Sequence, residues 1–433
     1  MKTSALFSGT ALVLALSGGS ALAQQQPLED RVRALEQQLG LPPPGANQTL
    51  EQRVKAVEDA LAQRQAPRAA QAAPPAPLPP ASPQPAQAAA DQETRLKAVE
   101  QKVADTTVTG RMYWDITNVD QKSDGVAQPR NGFGFDAKRF YISVDHRFNN
   151  IFAADVTTDF NYVSADSETQ VFIKKAYLQA TLDPALIIRA GSSDVPWIPF
   201  NEGLYGYRYL ENVLEERTSF GASADWGLHA FGNLSGGLFS YQVSVLNGAG
   251  YKKLVRSRSP SIEARVNVNY QGFTVAVGDL HGTLGQDIQG GAHAYHTANR
   301  FDALASYTAM GARVGIQYMQ AKNWNNITTV ASDSSDGYSA WGSYNFAPQW
   351  AVFGRYDWAK PSRDLNPALK DQYFNVGITY TPTRIIDFSL AYKHEKVENG
   401  FWSTSNGTIG GLVNAPGHSG TYDEIGIWSD FQW

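Results

Sequence analysis

The last twelve residues, Tyr422 to Trp433, read Y-D-E-I-G-I-W-S-D-F-Q-W. Apolar and polar side chains alternate with a period of two, which predicts a β-strand with two different faces. One face carries Ile425, Ile427, Phe431 and Trp433, and the other carries Glu424, Asp430 and Gln432. In a closed membrane barrel the outward side chains meet lipid and the inward ones meet water. The stretch therefore predicts a transmembrane β-barrel, with an ordinary amphipathic terminal strand as the alternative.

Composition narrows the class of protein further. The chain has no cysteine, which excludes disulfides and thiolate metal sites. A mean hydropathy of -0.34 argues against a bundle of transmembrane helices, and the chain lacks an internal apolar run of the ~20 residues that such a helix needs. The formal net charge of -5 gives no reason to expect a nucleic-acid partner.

The composition also changes along the chain, and it predicts five segments. They are a signal peptide at 1–23, coiled-coil segments at 24–64, a Pro/Ala/Gln-rich linker at 65–91, a third coiled-coil segment at 92–105 and a barrel at 106–433. An uncleaved anchor is the alternative for the first segment. The linker is typical of extended polyproline-type chain.

Three copies of one heptad-like pattern stand before the barrel, at Leu28 to Leu39, Leu50 to Leu61 and Gln92 to Val103. Their apolar residues recur at alternating spacings of four and three, which predicts a narrow coiled-coil seam. Because such short helices are marginal alone in water, we expect partner helices, most simply from neighbouring subunits. A loosely helical solvated tail is the alternative. The segment could also bind peptidoglycan or periplasmic proteins.

From Thr107 onward the chain alternates between short apolar–polar runs and turns, which predicts an all-β fold of sixteen antiparallel strands. Short turns alternate with longer connections, and apolar rows end in aromatic residues, as in membrane barrels. A soluble β-sandwich would also show alternation. It would not explain an export signal together with paired aromatic row ends.

The stretch from Lys175 to Gly203 resembles the phosphate-selective porin O and P family. The resemblance rests on Ala176-Tyr-Leu178, on Arg189-Ala-Gly191 before the third loop, and on Pro199-Phe-Asn-Glu202 within it. The strand that ends in Asn247-Gly248 is similar as well. The resemblance extends over Thr107 to Trp433 and implies a trimeric sixteen-stranded barrel, an outer-membrane porin whose third loop folds inward and narrows the channel.

Charged and aromatic residues supply the candidate site. The candidate constriction-loop residues, in the loop predicted at 195–216, are Trp197, Phe200, Glu202, Tyr205, Tyr207, Arg208 and Tyr209. The candidate lumen cations are Arg139, Lys175, Arg189, Arg265, Arg313 and Arg355, to which Lys138 and Lys174 can be added. The candidate mouth cations, which could steer anions or pair with lipopolysaccharide, are Lys252, Lys253, Arg256 and Arg258.

The loop does not resemble an anion trap by charge alone, since Glu202, Glu211, Glu215 and Glu216 outnumber Arg208 and Arg217. The net charge of -5 predicts at most weak anion selectivity. The loop aromatics could bind sugars or aromatic solutes, or they could pack the loop against the barrel wall.

Nothing in the sequence predicts an enzyme, a cofactor or a metal site. G-x-S-x-G is absent, and His394-Glu395 lacks the second histidine of a zincin helix. His293, His296 and Asp287 lie in a Gly-rich loop that does not fix ligand geometry.

The sequence thus predicts an outer-membrane porin, a trimer in lipid and lipopolysaccharide, that passes small hydrophilic solutes, including anions such as phosphate, by passive diffusion. The alternatives are a porin for carbohydrates or aromatic solutes, a tether between outer membrane and cell wall, and a barrel enzyme.

Overall fold

A computed structural model describes residues 28–42, 48–65, 93, 95–97, 103, 105–163, 168–288 and 294–433. The chain divides into two compact units, Met1–Ala86 and Gln87–Trp433. The predicted signal peptide, and the predicted linker apart from Gln65, lie outside the described residues. No helix within these ranges combines the length and apolar character that a membrane span requires.

The first unit contains helices α1 (Leu28–Leu39) and α2 (Leu50–Gln65). Gly40, with a φ of 69°, follows the end of α1, and Thr49 and Gln52 exchange backbone-to-side-chain hydrogen bonds at the start of α2. The helices contact each other within one chain, where Arg53 donates to both carboxylate oxygens of Glu36 at 2.8 and 2.7 Å. Helix α1 therefore packs against α2 of the same chain. A coiled coil between subunits stays a prediction.

Of the third heptad copy, only residues 93, 95–97 and 103 are described, and all are helical. Glu93 and Lys97, one helical turn apart, form an exposed ion pair at 2.9 Å. The rest of this copy lies outside the described residues.

The second unit is a barrel of sixteen long antiparallel strands. They are β1 (Thr106–Ser123), β3 (Gly132–Arg147), β4 (Phe152–Val163), β5 (Glu168–Asp183), β6 (Leu186–Asp194), β7 (Ala224–Leu234), β8 (Phe239–Leu246), β9 (Ser261–Tyr270), β10 (Phe273–Gly282), β11 (Ala298–Ala309), β12 (Ala312–Lys322), β13 (Ser334–Ala347), β14 (Trp350–Lys360), β15 (Lys370–Thr383), β16 (Ile386–Glu398) and β19 (Ser419–Gln432). A short β2 (Val126–Ala127) extends the first connection, and β17 (Phe401–Thr404) and β18 (Gly407–Gly410) form a hairpin in the last one. The sequence did not predict that hairpin.

The first and last long strands close the barrel. β1 pairs with β3 on one side and with β19 on the other, from Arg111 opposite Gln432 to Ser123 opposite Gly420. The backbones of Gly110 and Trp433 exchange two hydrogen bonds of 3.1 Å. Closure leaves the terminal strand without a free edge, and the predicted sixteen-stranded antiparallel barrel is confirmed.

The two faces of the terminal strand are those predicted from its sequence. Ile425 is 54% exposed on the outside of the barrel, whereas Glu424 and Asp430 are buried on the inside. The same alternation places Val266, Ile316 and Leu390 among the exposed apolar residues of other strands. The outer surface is therefore an apolar belt, although soluble proteins normally bury such residues.

The two ends of the barrel differ in the length of their connections. At one end the turns are tight: Gln271 and Gly272 adopt φ values of 48° and 86°, and Met310 and Gly311 adopt 52° and 77°. Positive φ at both central residues is the signature of two-residue hairpin turns. The long connections lie at the opposite end. The third of these runs from 195 to 223, past the predicted end at 216, and contains α3 (Ile198–Tyr205) and α4 (Leu214–Arg217).

Candidate functional site

The third long connection, residues 195–223, which we call the inner loop, runs along the inside of the barrel. Its bonds to inward side chains of the wall begin at β9 and continue through β12 and β14 to β3. The bonded pairs are Arg265 with the carbonyl of Pro196 (2.8 Å), Asn201 with Gln317 (2.5 Å), Arg355 with the carbonyl of Asn212 (2.6 Å) and Lys138 with the carbonyl of Leu210 (2.8 Å). The inner loop thus covers one arc of the wall, and β4–β8 form the opposite arc.

Arg217 fastens the end of the inner loop. Its guanidinium donates to Asp357 at 2.8 Å, to Asp371 at 2.7 Å and to Glu395 at 2.8 Å, and all four side chains are fully buried. Three strands, β14, β15 and β16, supply these carboxylates. The fork of donors on arginine matches such a set, because each nitrogen can serve a different oxygen. Sequence reasoning counted Arg217 as a loop charge and missed this cluster, since its members are far apart in the chain.

Four of the five candidate aromatic residues of the inner loop are buried against the wall: Trp197, Tyr205, Tyr207 and Tyr209. Tyr207 stacks on Phe353 with ring centroids 4.3 Å apart, and the Tyr209 hydroxyl lies 2.6 Å from that of Ser389. These contacts favour packing of the loop over binding of a solute. Phe200 is partly buried, and the Arg265 guanidinium lies 4.0 Å from the centre of its ring.

The acidic residues of the inner loop have partners too. Arg208 binds Glu202, and it approaches Glu216 to 3.1 Å. Burial raises the pKa of Glu202, although Arg208 and Lys174 act in the opposite direction. Lys174 belongs to β5 on the opposite arc, so cations of the inner loop and of the opposite arc both counteract the effect of burial on this carboxylate.

A second loop carboxylate, Glu211, accepts a 2.6 Å hydrogen bond from Ser405 and lies 3.7 Å from the Lys393 ammonium. Burial alone would raise the pKa of Glu211, but Lys138 and Lys393 hold it below its ordinary value. Part of the negative formal charge of the inner loop is therefore offset by Lys393, on a strand far away in the sequence.

Arg139, on β3, and Lys174, on β5 of the opposite arc, face the lumen. Arg139 pairs with Asp159 at 2.5 Å, and the Tyr251 hydroxyl donates to the same carboxylate. A bulge between β4 and β5 at Thr157 and Thr158 changes the register there. It lets Lys174, whose ammonium lies 4.9 Å from the Tyr141 ring centre, point inward as its neighbour Lys175 does.

The candidate lumen cations fall into two groups, according to whether they pair with a carboxylate. Arg139, Lys175 and Arg355 each pair with a carboxylate, that of Asp159, Asp194 and Asp357 respectively. The inward cations that have no carboxylate within 4.0 Å in the described part of the chain are Lys138, Lys174, Arg189, Arg265 and Arg313. We call these five the unpaired cations.

Neutral groups hold several of the unpaired cations in place. Arg189 bonds Gln179 at 2.8 Å and Ser193 at 3.2 Å, and its guanidinium lies 4.3 Å from the ring centre of Tyr177. Arg313 approaches the carbonyl of Tyr205 to 3.5 Å. Such contacts position a cation without neutralising its charge, so it remains able to attract an anion.

The candidate mouth cations are exposed on the connection between β8 and β9. Lys252 lies 4.6 Å from the ring centre of Phe172, and the backbone of Arg258 donates to Asp287 at 2.9 Å. Asp287 also accepts from Ser257 and from the backbone of Ser259. His293 lies outside the described residues, and those that are described contain no cluster of three or more potential metal ligands.

Cavities lie on both sides of the inner loop. One of about 530 Å³, toward the long connections, is lined by Asn212, Lys138 and Lys393. Another of about 320 Å³, toward the short turns, is lined by Gly206, Tyr207 and Arg313. Space for water and small solutes therefore exists on both sides of the inner loop.

Known structures share this architecture. An anion-selective porin from Comamonas acidovorans matches with a TM-score of 0.56 and 13% identity over 75% of this chain and 99% of its own. The outer membrane channel DcaP of Acinetobacter baumannii matches with a TM-score of 0.52 and 12% identity over 76% of this chain and 97% of its own. Salmonella typhi OmpF in complex with daunomycin matches with a TM-score of 0.51 and 12% identity over the same shares of the two chains. The barrel has the fold of outer-membrane porins. No protein-family model and no curated protein sequence matches the chain.

Proposed function

We propose that the protein is an outer-membrane porin that forms a water-filled channel for passive diffusion of small hydrophilic solutes and prefers anions. The observation that carries the proposal is the set of unpaired cations around a lumen narrowed by the inner loop. A row of cations replaces part of the hydration shell of a passing anion, whereas a cation already paired with a carboxylate presents no net charge. Phosphate belongs to the class of solutes that this lumen would favour.

The proposal includes the assignment of the chain to the relatives of the phosphate-selective porin O and P family. The support is the inward course of the loop that contains Pro199-Phe-Asn-Glu202, together with the cations on the facing wall. Assembly as a trimer in lipid and lipopolysaccharide is part of the same proposal. The apolar belt supports the lipid contact.

The amino-terminal assignments extend the proposal to the periplasm. In this proposal residues 1–23 act as the export signal, 24–64 and 92–105 as periplasmic coiled-coil segments, and 65–91 as the linker to the barrel at 106–433. The α1–α2 contact through Glu36 and Arg53 supports a folded segment before the spacer. A complex with peptidoglycan or a periplasmic protein would use this segment.

Single-channel recording tests the central claim. Protein purified from outer membranes and added to planar lipid bilayers should give stepwise ohmic conductance, and a KCl gradient should give a reversal potential of the sign expected for anion preference. A preparation that is folded by circular dichroism yet gives no current steps would remove the channel function. A reversal potential of the opposite sign would remove the anion preference alone.

A further inference from the structure

A cavity of about 660 Å³ lies among the long connections. It is bounded by the connections β12–β13, β14–β15 and β16–β19, and by Phe220 near the end of the inner loop. Its size is within the range of about 300–1,000 Å³ that is typical of small-molecule sites. None of the unpaired cations lines it.

Three aromatic side chains form one wall of this cavity, which we call the vestibule pocket. Phe220 and Trp402 stack with centroids 5.6 Å apart and an angle of 20° between planes, and Trp324 meets Phe220 edge-on at 6.5 Å. The Trp402 indole donates to the carbonyl of Thr218 at 3.1 Å, which fixes the ring. Trp324 and Trp402 are only partly buried, so the wall offers aromatic surface to a ligand.

The other walls carry side-chain amides. The side-chain nitrogen of Asn366 donates to the carbonyl of Asn399 at 2.9 Å and to the side-chain oxygen of Asn414 at 3.4 Å, which leaves the side-chain oxygen of Asn366 as the acceptor for a ligand. Within the described part of the chain, the Asn325 side chain and the Trp324 indole N–H make no hydrogen bond, so they are available to a ligand. An amide offers both a donor and an acceptor, which suits a pair of neighbouring hydroxyl groups.

The vestibule pocket is almost uncharged. Asp333 is the one ionisable residue among the described residues that line it. One of its carboxylate oxygens accepts from the backbone nitrogens of Ser334 at 2.9 Å, Asp364 at 3.0 Å and Leu365 at 3.4 Å. An anion would find no cation in this pocket, whereas a neutral polar molecule would meet no unfavourable charge.

We propose that the vestibule pocket binds a neutral saccharide. The apolar C–H face of a sugar ring packs on the partly exposed aromatic wall, and the ring hydroxyls bond the amides of Asn325 and Asn366. Purely apolar ligands would leave these amides unsatisfied, at a cost in affinity. The orientation of the pocket toward the cell exterior rests on the proposed porin function. The binding itself does not.

Ligand-observed NMR titration of the full chain, in a detergent without a sugar headgroup, tests the proposal with maltose as the probe. Maltose should bind saturably, and inorganic phosphate and benzyl alcohol should not displace it. Trp324→Ala should weaken maltose binding by at least about tenfold because the aromatic surface is lost. Trp324→Phe, which keeps a ring and loses the N–H, should weaken binding less.

Asn325→Ala is a second variant that should fold normally, because this exposed side chain makes no hydrogen bond within the described structure. It should weaken maltose binding roughly threefold. Tyr295→Ala removes an exposed aromatic residue from a neighbouring connection, outside the pocket lining, and should leave binding unchanged.

Absence of maltose binding, equal affinity in wild type and Trp324→Ala, or displacement by benzyl alcohol would each overturn the proposal. Conductance of the same preparations separates the two functions. Intact current without maltose binding removes only the saccharide site, and maltose binding without current removes only the channel.

Discussion

The inward cations of this barrel form two groups that differ in what surrounds them. Arg217, Arg300 and Arg355 are buried, and carboxylates of the wall hold them in place. The unpaired cations contact carbonyls, amides and rings instead. Removing one partner of a buried ion pair leaves the other charge uncompensated, which destabilises the fold. An unpaired cation instead mainly sets the electrostatic potential of the lumen. The first group should therefore matter for stability, and the second for selectivity.

The largest effect should follow from a change in the first group. Arg217→Met leaves Asp371 and Glu395 buried without their cation, while Asp357 keeps Arg355, and this should lower the free energy of unfolding by about 3–5 kcal/mol. Urea titration of the purified barrel, followed by tryptophan fluorescence, measures this. The matched control is Arg363→Met, which removes a half-exposed arginine 3.5 Å from Asp336 and should cost less than about 1 kcal/mol. Equal losses in the two variants would mean that the cluster does not stabilise the loop.

A smaller effect is expected in the second group. Lys174→Gln removes an unpaired charge and should lower the anion-to-cation permeability ratio by about twofold, as measured by reversal potentials. The matched control is the double substitution Lys175→Gln and Asp194→Asn. It removes both charges of the ion pair that the adjacent lysine forms, so the local net charge stays unchanged. If both changes shift the reversal potential alike, pairing does not divide the cations as we describe.

The smallest effect concerns the hydrogen-bonded carboxylate of Asp124, between the first and last connections. His418, at 2.8 Å, and the backbone nitrogens of Leu412 and Ser419 lower the pKa of Asp124 to about 2. Because the folded state holds this pKa below its unfolded value of 3.8, the stabilisation is complete above about pH 4 and is lost as the pH falls toward 2.

Asp124→Asn should therefore unfold at a slightly lower temperature than wild type at pH 7, and the difference should shrink between pH 4 and pH 2. Thermal unfolding across that range is the measurement. A difference that stays constant with pH would show that the carboxylate charge of Asp124 contributes nothing there.

Much of the barrel could be predicted from the sequence because a strand repeats every two residues. The assignment of Ile425 to the outside and Glu424 to the inside needs only this period and the contrast between lipid and water. Register irregularities are less visible in a sequence. The bulge at Thr157, which turns Lys174 inward, leaves no clear signal, since Lys174 and Lys175 would otherwise face opposite sides.

The candidate site was only partly predictable. The position of the inner loop and its aromatic residues followed from the pattern and from the family resemblance. The pattern and the resemblance did not show which charges neutralise one another. Arg217 finds Asp357 and Glu395 at separations of 140 and 178 residues, and the Ser405 hydroxyl meets Glu211 across 194 residues.

The sequence by itself determined the strands, their faces and the closed antiparallel barrel, because these depend on a local alternation that each strand carries independently. Only the tertiary structure decided which lumen charges remain unpaired and that Phe220, Trp324 and Trp402 meet in one pocket. The physical reason is the closure of the barrel, which brings side chains from distant strands and connections within hydrogen-bonding and van der Waals distance. Net charge cannot replace that geometry, since an ion pair and two separate charges of opposite sign have the same sum.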